Sequence, residues 1–179
     1  MAKKEVSNSD VVKHIKEVIS QTDKPSWLGS VPHNFGSAAA GTLKADEWRT
    51  MYSVYLPLAL VSLWGEGTNH PFQDRQKWRA KLDHTMALIS AIRIACLRTT
   101  TVARATAYRS YILQWIDGLG QLYPDLGKRT NHHIAIHISD FLRLFGPVHS
   151  WWTFPFERLI GQLQRLHHNH KFGKQLNIT

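Results

Sequence analysis

Two adjacent carboxylates, Asp46 and Glu47, stand in the run Leu43-Lys44-Ala45-Asp46-Glu47-Trp48-Arg49-Thr50. Acids suit the first turn of a helix, where they meet the positive end of its dipole. A carboxylate there is also a candidate metal ligand or acid/base group. Neighbouring helical residues point to different sides, so at most one of the two faces any given site. A second constellation is Asn131-His132-His133-Ile134-Ala135-Ile136-His137-Ile138-Ser139-Asp140-Phe141. His133 and His137 are four apart and Asp140 follows three later, which places all three on one helical stripe. Two imidazoles at that spacing can chelate a divalent transition metal. The alternative is local hydrogen bonding beside the core, with Ile134, Ile138, Phe141 and Phe145 expected as the neighbouring buried stripe.

A third constellation runs from Phe145 to Arg158 and holds Trp151, Trp152, Phe154 and Phe156 around Gly146-Pro147 and Pro155. Glu157 follows in this aromatic setting. A carboxylate among apolar groups is costly unless paired. Glu157 is therefore either a structural ion pair with Arg158 or a helix terminus, or a catalytic or metal-binding acid. No acid follows it, and Arg158, Arg165, His167, His168, His170, Lys171 and Lys174 make an electropositive C-terminal run. Such a run suits phosphate contacts, and it equally suits a solvated helix end. A metal-dependent hydrolase built on Asp46, His133, His137 and Glu157 is a further reading. Walker-type and dinucleotide-type glycine loops and a serine nucleophile elbow are absent from the sequence. Cys96 sits in an apolar helical pattern and reads as core.

The elements that must position these residues are helical nearly throughout. Val11, Val12, Ile15, Val18 and Ile19 recur at helical spacing, between Ser9-Asp10 as a start and Asp23-Lys24-Pro25 as a stop. Residues 24–43 carry three glycines and two prolines and read as irregular. A helix from Ala45 toward Trp64 buries Met51, Val54, Tyr55, Leu58 and Val61, and Pro57 should kink or split it. Further helices are expected over about 73–99, 101–119, 130–145 and 153–169, with Gly118, Gly120 and Pro124 breaking the chain after the fourth. Neither strand alternation nor a fixed repeat appears. The expectation is an all-α protein, a single irregular helical domain of about six helices over residues 9–172. Residues 1–8 are expected to be disordered and 173–179 frayed.

The chain has 179 residues and a net charge of +9, with 43% apolar residues, enough for one ordinary domain with a real core. The charge points to an acidic partner, most often nucleic acid. With a single cysteine, neither an intramolecular disulfide nor a zinc site of paired cysteines can form. The N-terminus lacks an apolar h-region, and the most apolar stretch, 55–64, is too short to span a bilayer. A soluble intracellular protein is expected, with no membrane partner and no evident small-molecule substrate.

The stretch from His132 to Gly173, with Gly146-Pro147-Val148, Trp151 or Trp152, Pro155-Phe156-Glu157-Arg158 and Asn169-His170, closely resembles a region of fungal transposon-encoded proteins related to the CACTA (En/Spm-type) DNA transposases. Trp27 to Gly65 resembles the segment ahead of that region. There, Lys44-Ala45-Asp46-Glu47-Trp48-Arg49 stands where plant relatives have a Lys-Ser-His-Asp-Cys-His-like motif, whose Cys and His are absent here. The resemblance implies the late part of a nuclease in which three acids hold two divalent ions, magnesium or manganese, for strand cleavage. It places Glu157 near the third acid and Asp46 in a neighbouring motif. The β-rich portion expected to supply the first two acids is not in this chain. The resemblance therefore implies a nuclear, DNA-contacting or accessory protein with no enzymatic activity and no cofactor of its own. Its partners would be DNA and a transposase nuclease core or another protein. Arg158, Arg165, Lys171 and Lys174 would meet phosphates. The alternative is a non-catalytic helical protein-interaction module or an inactive transposon relic.

Overall fold

The structure is a computed structural model that describes residues 8–37, 41–68, 72–127 and 129–165. Among these the chain is all-helical: α1 (Asn8–Gln21), α2 (Ala45–Thr50), a π-helical turn (Met51–Tyr55), α3 (Leu56–Trp64), α4 (Phe72–Ala95), α5 (Val102–Leu122), α6 (Thr130–Phe145), a 3₁₀ turn (Val148–Ser150) and α7 (Phe154–Gln164). The segment from α2 through α3 is unbroken, so the described residues form six helical rods in a single domain. Residues 1–7 and 173–179, expected to be disordered or frayed, lie outside the described residues, and α1 already begins at residue 8. No described helix is long and apolar enough to cross a membrane.

Two cores share α4 as their common wall. The first joins Ile15 and Ile19 of α1 to Met51, Tyr55, Leu56, Ala59 and Ile89, and takes Val31 and Leu43 from the irregular segment. The described residues of this stretch, 24–37 and 41–43, are thus non-helical as its glycines and prolines dictate, yet they are anchored. Phe35 packs edge-on against Trp48, which stacks on Tyr52. The second core joins Ala91 and Ala95 of α4 to Ala105, Tyr108, Ile112 and Ile116 of α5 and Leu142 of α6.

Pro57 neither splits the rod nor ends it. The Leu56 N–H donates to the Met51 carbonyl, a five-residue step. The wide turn accommodates a proline that has no N–H to give to the ladder. The inserted residue also rotates the downstream face. The expected stripe continued through Leu58 and Val61, but both are about half exposed, while Leu56, Ala59 and Leu60 are buried. A second expectation also fails. Gly118 and Gly120 do not break the chain, because α5 runs on to Leu122. Gly118 lies under the His84 ring, where a Cβ would stand 2.4 Å from His84 Cδ2. The glycine is there for the close approach of α4 and α5.

The fifth expected helix matches α6, but its buried face is not the anticipated one. Ile134, Phe141 and Phe145 are exposed, and Ser139 and Leu142 are buried instead. Ala135, Ile136 and Ile138 pack against the second core beside them. A polar bond from α5 favours this rotation: the Tyr108 hydroxyl donates to the Ala135 carbonyl at 2.8 Å. Turning α6 to bury Phe141 would leave that buried hydroxyl unpaired.

Candidate functional site

The starts of α2 and α7, about a hundred residues apart, meet in space. Lys44, Ala45, Asp46 and Arg49 from the start of α2 line one open cleft of about 560 Å³ with Trp152, Phe154, Glu157 and Arg158 from the start of α7. Asp46 and Glu157, far apart in sequence, therefore share a cleft. Local chemistry fixes each wall. The Lys44 N–H donates to the Glu47 carboxylate at 2.8 Å, closing the first turn of α2, so Glu47 does the capping work. That leaves Asp46 on the other side, where Arg49 binds it at 2.8 Å. On the facing wall, Thr153 precedes α7 and its hydroxyl donates to Glu157 at 2.9 Å.

Glu157 is exposed, so it does not occupy the apolar interior that its aromatic neighbours suggested. The aromatics pack on one another instead. Trp152 meets Phe154 edge-on at 4.7 Å and His149 at 4.1 Å. His149 donates to the Cys96 carbonyl at 2.9 Å, tying this turn to the end of α4. Trp151 turns the other way and donates to the Gly146 carbonyl at 3.1 Å. Gly146 has φ +79°, the left-handed conformation that lets α6 end there.

Three cations and two carboxylates thus surround an indole and a phenyl ring. Asp46 is neutralised by Arg49, whereas Lys44 and Arg158 have no acidic partner among the described residues. Arg165 is exposed at the far end of α7, and Lys171 and Lys174 lie outside the described residues. Lys44, Arg49, Trp152 and Phe154 were not singled out as site residues from the sequence. Their signal was present only as neighbours of the singled-out acids, Lys44 and Arg49 beside Asp46 and Trp152 and Phe154 in the aromatic run before Glu157.

His133 and His137 stand elsewhere, on the solvent side of α6. Their Nε2 atoms are 3.3 Å apart, and the Asp140 carboxylate is 3.3 Å from His137 Nδ1. The four residues of the hydrolase reading do not assemble, since Asp46 and Glu157 line the cleft without either histidine. Among the described residues no group of three or more metal-ligating side chains converges. Burial raises the Cys96 thiol pKa, with a smaller opposing effect from Arg49.

Comparisons with protein-family models, with curated proteins and with solved structures gave no match.

Proposed function

We propose that this chain is a DNA-contacting accessory protein, a transposon-derived helical module that binds nucleic-acid phosphates and has no cleavage activity of its own. One observation carries the reading. Lys44 and Arg158, from two distant segments and without an acidic partner among the described residues, line a single open cleft with Trp152. Cations hold the phosphates while an aromatic face offers a stacking surface for an unpaired base. The net charge of +9 draws the polyanion in. Arg165 is exposed, and Lys171 and Lys174, outside the described residues, add further positive charge in the sequence that follows it. Magnesium or manganese would enter only if a nuclease core supplied the further acids that Glu157 and Asp46 lack. Residence in the nucleus belongs to the same reading.

Fluorescence anisotropy with labelled single- and double-stranded DNA over a salt series tests it. The combined variant K44A/R158A/R165A should weaken binding by a similar factor on unrelated sequences. It should also flatten the salt slope by roughly one per phosphate contact removed. An absence of binding at low salt, or an unchanged slope in the variant, overturns the proposal.

A second reading, a protein-interaction module, draws on a different surface. Phe156, Leu159, Ile160 and Leu163 form an exposed apolar stripe along α7. Analytical ultracentrifugation separates the readings. A stable oligomer that fails to bind DNA at any salt favours the second.

A further inference from the structure

We propose that His133 and His137 form a two-donor chelate for a divalent first-row transition ion, zinc above all, on the solvent face of α6. The spacing supports it quantitatively. Two nitrogens held about 2.05 Å from a tetrahedral zinc stand about 3.3–3.4 Å apart, whereas cis positions on an octahedral ion at that bond length stand about 2.9 Å apart. The Nε2 atoms of His133 and His137 are 3.3 Å apart. The rings are nearly perpendicular, at 79° with centroids 4.9 Å apart, so they approach through their edges without stacking. The helix sets this geometry, because residues four apart project side by side from successive turns.

Asp140 completes the arrangement from behind. Its carboxylate lies 3.3 Å from Nδ1 of His137, on the ring nitrogen that faces away from His133. A carboxylate only accepts, so in the neutral ring the proton sits on Nδ1 and the Nε2 lone pair is left for the ion. Asp140 is thus a positioning residue and not a ligand. This agrees with the lack of any three-ligand group among the described residues. Solvent fills the remaining positions. The bound ion would tie two turns of α6 together.

The test is zinc titration of the full chain by calorimetry after treatment with chelator. His167, His168 and His170 are competing donors. The titration is therefore run on the H167N/H168N/H170N background. One zinc per chain is expected there, with a rise in melting temperature on zinc addition. H133A or H137A in that background should lower the affinity more than about tenfold and abolish the rise. D140N should cost about tenfold or more, the scale of an outer-partner loss. All three side chains are at least partly exposed, so the variants should fold, and far-UV circular dichroism checks that. Nitrogen NMR of the rings gives a second readout, with zinc shifting Nε2 of both histidines while the His137 Nδ1 proton persists. Loss of all zinc binding in the tail-substituted background overturns the proposal. So does an isotherm unchanged by H133A and H137A.

Discussion

Along α5, Ala105, Tyr108, Ile112, Ile116 and Leu119 are all 9% exposed or less, whereas along α7 Phe156, Leu159, Ile160 and Leu163 are 49–66% exposed. Both helices carry apolar residues at the same three-and-four spacing. The difference lies in what faces them. α5 meets Ala91 and Ala95 of α4, and its own Ala105 and Gly118 let the two backbones approach. Short side chains at the crossing bring the longer ones on either side into contact. Among the described residues, α7 has the apolar stripe without a partner helix carrying complementary small residues. An amphipathic pattern therefore marks a face that can be covered, and only a neighbour of the right shape covers it.

The sharpest way to break this contrast is to spoil the close approach. Gly118→Ala should destabilise the fold by about 1–3 kcal/mol in urea denaturation, although alanine is the better helix former. The added Cβ would displace the His84 ring, which donates from Nε2 to the Trp115 carbonyl at 2.9 Å. In a His84→Ala background the same change should become neutral or stabilising. If Gly118→Ala stabilises the unmodified chain, the contact is not what fixes that glycine.

A smaller effect follows from the same contact. Desolvation lowers the His84 pKa, opposed by its bond to Trp115. In acid the unfolded chain then takes up the proton before the folded one does. Stability from this residue is present above the ordinary histidine pKa of about 6.5 and is lost as pH falls through the lowered value. The urea midpoint should drop between pH 7.5 and pH 5, and His84→Gln should remove part of that drop. An identical drop in the variant would assign it to the other histidines.

The smallest effect is expected on α7. Ile160→Ala should change stability by only about 0.5 kcal/mol, because about half of the residue is already exposed. A much larger loss in dilute solution would show that something covers the stripe, and a dependence on protein concentration would identify a second copy of this chain.

Local sequence carried the helices themselves. Their periodicity, the Asp23-Lys24-Pro25 stop, the Gly146-Pro147 junction and the irregular conformation of residues 24–37 and 41–43 are all short-range features, and each appears where it was expected. Positions that depend on a partner were misread. Gly118 reads as a breaker unless His84 is known to lie above it. Leu58 and Val61 read as buried unless the π turn before Pro57 is known to add a residue. Phe141 and Phe145 read as core unless the bond from Tyr108 to the Ala135 carbonyl is known to hold α6 turned the other way. The candidate site divides in the same manner. The histidine spacing was legible because one helix sets it. The cleft was not, because Lys44, Arg49, Trp152 and Arg158 come from segments a hundred residues apart, and nothing in either segment's own spacing encodes the other.

The sequence by itself determined that this chain is helical, basic and able to build a core, because propensity, periodicity and charge act over a few residues. Tertiary structure alone decided which apolar faces are covered and that Asp46 and Glu157 share one cleft. Those outcomes depend on the fit between surfaces from distant parts of the chain, which no local pattern contains.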